Sequence, residues 1–217
     1  MKLLVTGITV VWLTAIVVVP VVLTEQTAGS FVPVTDAMLE NPAPADWLMW
    51  RRTPNGWGYS PLDQINRANV GDLQLVWTRA LAPGSQQGTP LAYGGTLYMP
   101  NPNDHLQALD AVTGDLQWEY RREIPDDAPQ VLGGAGLVSV NRNVAIYGQT
   151  IIDTANDGYV YAVNAVTGDL AWETEIFDFD TEPARHTSGP MVANGKVISG
   201  RSCRPRAGPN SCAIVAH

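Results

Sequence analysis

The chain has 217 residues, 45% of them hydrophobic, and a formal net charge of −8. That length and apolar share suffice for a sizeable core, and the acidic balance argues against nucleic acid or an anionic membrane surface as partner. Twenty Gly, sixteen Pro and seven Trp against 16% charged residues point to a turn-rich β protein rather than a helical one.

Residues 1–23 carry one positive charge, Lys2, ahead of a long apolar run rich in Val, Leu, Ile and Thr. Such a run is a secretory signal or an N-terminal membrane anchor. Pro20 interrupts the helix and Ala28-Gly29-Ser30 offers small residues for cleavage, which favours a signal over residues 1–28. The run is also long enough to span a bilayer uncleaved. Either way the rest of the chain is expected to be exported, in the periplasm or anchored to the inner membrane. Residues 29–45 read as a spacer containing a short helix over 35–40. Residues 46–77, DWLMWRRTPNGWGYSPLDQINRANVGDLQLVW, are rich in aromatics and turns and read as a lead-in that finishes on an outer strand.

One grammar then repeats. Residues 105–118 read HLQALDAVTGDLQW and residues 159–172 read YVYAVNAVTGDLAW; the run AVTGDL is identical in both, 54 positions apart. A third copy opens with CAIVAH at residues 212–217. Units begin on a Gly/Thr/Ser-Pro step (Gly88-Thr89-Pro90, Ser188-Gly189-Pro190), then a short apolar strand and a tight turn at Gly94-Gly95, Gly148 or Asn194-Gly195. Asn-Gly and Gly-Gly suit the positive φ angles of two-residue hairpins. A second strand (96–99, 149–154, 196–199) and a third lead to Thr-Gly-Asp, and a fourth ends on Trp118 or Trp172. Leu106 and Ala108 alternate with Gln107, and Val160 and Ala162 with Tyr161, as in strands packed between neighbouring units. The tryptophans read as packing residues between units. Four short strands per unit describe a propeller blade, so the fold class is all-β, a partial β-propeller over residues 46–217. Two complete blades cannot close a ring, which makes this the expected N-terminal part of a longer protein.

Cys203 and Cys212 flank the loop RPRAGPNS. In an oxidising compartment this spacing predicts a loop-closing disulfide. Asp178, Asp180 and Glu182 alternate in FDFDTE, but Pro183 stands where an EF-hand needs Gly, so a solvated loop is expected rather than a calcium site. Gly133-Gly134-Ala135-Gly136 lacks the strand and helix of a dinucleotide site. His105, His186 and His217 show no metal spacing, and no haem attachment motif occurs.

The segment Tyr59-Ser60-Pro61-Leu62-Asp63-Gln64-Ile65-Asn66, followed by Asn69-Val70, Leu73 and Trp77 and joined to the Thr-Gly-Asp-Leu-x-Trp repeats, resembles the N-terminal region of pyrroloquinoline quinone (PQQ)-dependent alcohol dehydrogenases. The resemblance covers residues 46–217. It implies an eight-bladed propeller holding PQQ near its axis, with a calcium ion polarising the quinone and an aspartate accepting the alcohol proton. It also implies an alcohol substrate and a quinone or cytochrome electron acceptor. Residue by residue, Arg142 of the Asn141-Arg142 step matches a cofactor-contacting arginine, whose fork suits carboxylates. Thr187 matches a cofactor-contacting threonine, Gln87 stands where the family often has a glutamate, and Ser202 matches a serine beside the ring. Three features depart from the pattern. The adjacent cysteine pair of the family would fall at Gly136-Leu137, and its calcium-binding glutamate at Pro205. The other metal ligands and the catalytic base would follow His217, so no catalytic or metal residue is assigned here. A non-catalytic exported propeller serving as a protein-assembly scaffold is the competing expectation.

Overall fold

The computed structural model describes residues 30–124, 140–178, 186–200 and 214–216. Each sequence repeat folds locally into one antiparallel meander. Unit 1 comprises β1 (Leu91–Tyr93), β2 (Thr96–Asn101), β3 (His105–Asp110) and β4 (Leu116–Arg121), paired in chain order. Unit 2 repeats this with β5 (Ala145–Tyr147), β6 (Thr150–Thr154), β7 (Tyr159–Asn164) and β8 (Leu170–Glu175). Unit 3 supplies β9 (Met191–Ala193), β10 (Lys196–Gly200) and β11 (Ile214–Ala216), and the last of these is the start of the third sequence copy. The first hairpin is tight because Gly94 and Gly95 (φ +58° and +81°) and Asn194 and Gly195 (φ +51° and +68°) take the left-handed backbone that its turn demands. This is the all-β, blade-by-blade architecture read from the repeats.

The AVTGDL run owes its identity to two separate constraints. Asp110 Oδ1 accepts from the amides of Val112 and Thr113 at 2.8 and 2.9 Å, and Thr113 Oγ1 donates to Asp115 Oδ2 at 2.7 Å. In unit 2, Asn164 Oδ1 accepts from Val166 and Thr167 at 2.8 and 3.1 Å, and Thr167 Oγ1 donates to Asp169 Oδ2 at 2.6 Å. These side chains replace the backbone partners that a tight turn lacks. The second constraint comes from the neighbouring unit. Trp118 lies flat on Gly168 (φ +78°), where an added Cβ would meet the indole at 2.8 Å, and its Nε1 donates to Ala165 O at 3.0 Å. Trp77 does the same on unit 1, against Gly114, with Nε1 donating to Ala111 O at 3.3 Å.

Two details differ from the sequence reading. Residues 73–79 form no ladder, because no strand among the described residues lies alongside them, although Trp77 docks as an outer-strand tryptophan would. Trp118 does not end β4 but sits within it. Leu106 and Gln107 are both buried, as are Val160 and Tyr161, in keeping with strands packed between neighbours.

The lead-in is tied to the units. Thr35 caps α1 (Asp36–Glu40), Val34 bridges to Gly148, and Trp47 bridges to Ala92 on β1. Asp36 accepts from the Tyr147 hydroxyl at 2.9 Å and from the Gly195 amide at 3.2 Å, joining the turns of units 2 and 3. Leu39 and Leu48 enter the common core with Leu91, Ile146 and Val192.

Candidate functional site

The innermost strands β1, β5 and β9 are each preceded by a segment outside any ladder: residues 87–90, 141–144 and 187–190. These three segments are joined laterally. Thr89 N donates to Arg142 O at 2.7 Å, Arg142 Nη1 donates to Thr187 O at 3.2 Å, and Asn143 Nδ2 donates to Pro190 O at 3.4 Å. The approach is so close that a Cβ at Gly189 (φ +71°) would run into the Asn143 carbonyl, and one at Gly88 into the Pro100 carbonyl. The glycines of the unit-opening steps are thus required by neighbouring backbone.

Together with the lead-in, the segments line a cleft of about 480 Å³. Its polar lining comes from Gln87, Thr89, Arg142, Asn143 and Ser188, and its apolar wall from Leu48, Met49, Trp50, Ile146, Met191 and Val192. Gln87 and Arg142, two of the residues singled out from the sequence, share this cleft and are exposed within it. Thr187, half-buried, adjoins it through its carbonyl, which receives the Arg142 guanidinium. Ser202 lies outside the described residues, as do Cys203, Cys212, Pro205, the glycine run at 133–136 and the leader at 1–23.

Two contributors escape motif reading. The lead-in brings Met49 and Trp50 to the wall, with Arg51 stacked over the Trp50 ring at 4.7 Å and both Arg51 and Arg52 at positive φ. The aromatic density of DWLMWRR is the signal that points there. Behind the cleft, Asn141 Nδ2 donates to Asp153 Oδ2 at 2.6 Å, and the Tyr161 hydroxyl donates to the same oxygen at 3.1 Å. Burial pushes the Asp153 carboxyl up to about 7, against the downward pull of its bonds to Asn141, the Thr154 amide and Tyr161. Burial, reinforced by Asp153, also holds the Asp104 carboxyl well above the carboxylate range. Nothing in the spacing of these four residues marks them as a group.

The cleft offers a guanidinium, a carboxamide and hydroxyls on one side and a flat aromatic and aliphatic wall on the other. That donor set suits a ligand that carries anionic or hydrogen-bond-accepting groups on one side and an apolar face on the other. Among the described residues no group of three or more His, Cys, Asp or Glu is arranged to hold a metal ion, and no helix is long and apolar enough to cross a membrane.

Residues 47–213 match the family model described as PQQ: glucose/ethanol/alcohol dehydrogenase, β-propeller domain. The chain is 34% identical over 163 residues to the dehydrogenase subunit of a quinone-type alcohol dehydrogenase from Gluconacetobacter polyoxogenes, covering 72% of this chain and 22% of that protein. Its structure superposes on quinohemoprotein alcohol dehydrogenase ADHIIG from Pseudomonas putida with a TM-score of 0.70 at 32% identity, covering 80% of this chain and 26% of that one. A europium-containing methanol dehydrogenase gives a TM-score of 0.67 at 30% identity, over 77% and 29% of the two chains. The chain thus spans about a fifth of the length of the curated relatives it matches. With two adjoining blades of the same design and a family match over most of its length, the chain belongs to the family of PQQ-type glucose/ethanol/alcohol dehydrogenase β-propeller domains.

Proposed function

We propose that this chain is the cofactor-binding first part of an exported quinoprotein dehydrogenase that oxidises primary or secondary alcohols. The observation that carries the reading is the convergence of Gln87, Arg142 and the Thr187 segment, from three successive units, on one end of the blades beside an apolar wall. PQQ, when bound, supplies the hydride acceptor, and the electrons then pass to a quinone or cytochrome. In this reading Arg142 binds the cofactor carboxylates through charge-assisted hydrogen bonds, Gln87 adds an uncharged amide, and the Thr187 hydroxyl a further donor. Trp50 and Met49 exclude water from the ring face. None of Gln87, Arg142 and Thr187 is a base at neutral pH, so all three are assigned to binding rather than to removal of the hydroxyl proton. The apolar leader supports export to the periplasm, free or anchored to the inner membrane. The cation is calcium or a lanthanide, the latter suggested by the europium-containing relative.

The test uses the intact polypeptide, loaded with PQQ and either calcium or a lanthanide, in a dye-linked assay across an alcohol panel. Turnover that falls at least tenfold in Arg142→Ala supports the reading. A protein that binds no PQQ and oxidises no alcohol would instead be the non-catalytic exported scaffold.

A further inference from the structure

Arg142 sits on backbone that no β-ladder holds. The β5–β6 register begins at Ala145 opposite Ile152, and residues 141–144 lie beyond it. Laterally the residue has its carbonyl bond from the Thr89 amide and one guanidinium bond to the Thr187 carbonyl, and its exposed side chain still loses freedom when fixed on a ligand. Yet the residue before it is 3% exposed, and its carboxamide makes a 2.6 Å bond to a carboxylate that is wholly buried. Asp153 is fixed in turn. Its Oδ2 also accepts from Tyr161, which is itself wholly buried on β7, and its Oδ1 accepts from the Thr154 amide at 2.7 Å. Tyr161 reaches the Asp104 carbonyl of unit 1 at 3.5 Å. The pair is a polar contact deep in a sheet core, where an apolar pair would fill the space without desolvating a carboxyl. A purely structural account gives no reason for its place next to the arginine of the cleft.

We infer that Asp153 and Asn141 are positioning residues for the cofactor: Asn141, clamped to Asp153, fixes the backbone at Arg142 so that its guanidinium is presented to the carboxylates of the bound quinone. The inference rests on the proposed PQQ site. Asp153 touches no ligand; it acts through Asn141 and the backbone. Tyr161, fixed between the two units, keeps Asp153 from following Asn141 if that segment moves.

The experiment measures the affinity of the intact apo-polypeptide for PQQ and for its uncharged trimethyl ester, with thermal unfolding as the control for stability. Arg142→Ala tests the site itself. Asp153→Asn keeps the size of the side chain but turns an NH2 group either onto the Thr154 amide or onto both Asn141 and Tyr161. Asn141→Ala removes the clamp from the other side and stands in if the first variant folds poorly. The expected result is about a tenfold loss of PQQ affinity in each clamp variant, the worth of one well-placed hydrogen bond, with ester affinity unchanged. In the Arg142→Ala background the further loss should be less than twofold, because the arginine through which the clamp acts is gone. The exchange Asn141→Asp with Asp153→Asn, which reverses donor and acceptor, should recover most of the affinity. Equal losses for PQQ and the ester, or the same loss with and without Arg142, would overturn the positioning role while leaving the site intact. Unchanged PQQ affinity in Arg142→Ala alone would sink both the site and the clamp.

Discussion

Gly168→Ala should cost far more than its one added methyl suggests. Gly168 has φ +78°, so an L-residue there carries about 1–2 kcal/mol of backbone strain. Its Cβ would lie 2.8 Å from Cδ2 and Cε3 of Trp118, so the indole must lift away. Lifting it stretches the 3.0 Å bond to Ala165 O, worth about 1 kcal/mol, and exposes part of a side chain that is now 7% exposed. Full truncation of a buried tryptophan costs roughly 3–5 kcal/mol, so partial displacement adds about 1–2. The total for Gly168→Ala is about 3–5 kcal/mol. Gly94→Ala is the reference: φ is +58° and no atom lies within 4 Å of its Cβ, so only the strain of about 1–2 kcal/mol remains. Trp118→Ala removes the collision partner, and Gly168→Ala made in that background should cost no more than Gly94→Ala. Urea unfolding of the intact polypeptide, followed by far-UV circular dichroism, gives all four values. Equal costs for the two glycine variants, or strict additivity of Gly168→Ala and Trp118→Ala, would refute the docking argument.

Arg122 joins units 1 and 2 with bonds of 2.8 Å to Asp157 and 2.7 Å to Glu173 while stacking on Tyr159 at 4.7 Å. Burial works against its charge, but the two carboxylates outweigh it and hold the guanidinium above its usual range. Arg122→Met should therefore lose about 3–5 kcal/mol by urea unfolding, since Asp157 is left buried without its counter-charge. Asp157→Asn made in that background should recover part of the loss. The Asp153 carboxyl, raised by burial to about 7, favours the folded state when protonated. Its contribution is fully present below the unfolded value near 4 and is lost as pH rises through 7, by up to about 4 kcal/mol. Asp104, raised in the same direction, adds to the trend. The urea midpoint should fall between pH 4 and 8, and Asp153→Asn should flatten that slope. Tyr147→Phe breaks only the rim bond to Asp36 and should cost less than 1 kcal/mol by the same measurement.

The blades were legible because their determinants are local. A turn needing left-handed backbone selects Gly94-Gly95 or Asn194-Gly195, and a third-to-fourth strand turn needing side-chain acceptors selects Asp110 or Asn164 three positions before Thr-Gly-Asp. Such demands recur at a fixed period and show in a single sequence. The tryptophan was legible as a packing residue but not its partner, because Trp118 meets Gly168 from fifty positions away. The lead-in over residues 46–77 was expected to finish on an outer strand, yet a strand exists only with a neighbour to pair with, and propensity does not supply one. The site was half legible. Arg142, Gln87 and Thr187 stood out through a family pattern, and the structure brings their segments side by side. The Asn141–Asp153 clamp stayed hidden because a buried carboxylate looks the same in sequence as a solvated one.

The division of labour within each unit follows from where the ladders run. Strand pairing fixes the backbone from β1 to β4 and from β5 to β8, and the Trp-on-Gly contact fixes one blade against the next. The third strands of both units are buried along most of their length, which leaves little freedom there for chemistry. The segments before β1, β5 and β9 lie outside the ladders and are joined laterally through backbone carbonyls at Arg142, Thr187 and Pro190. One of those contacts is backbone to backbone, from Thr89 to Arg142, and the other two are donated by the Arg142 and Asn143 side chains. At equivalent positions ahead of these strands stand Gln87, Asn141 and Thr187, then Gly88, Arg142 and Ser188, so the segments differ between units that are otherwise copies. A ring of near-identical blades acquires an asymmetric site in this way, and a side chain recruited there needs its own anchor because no ladder provides one. Asn141 held by Asp153 is such an anchor, made from residues that the repeat itself does not require.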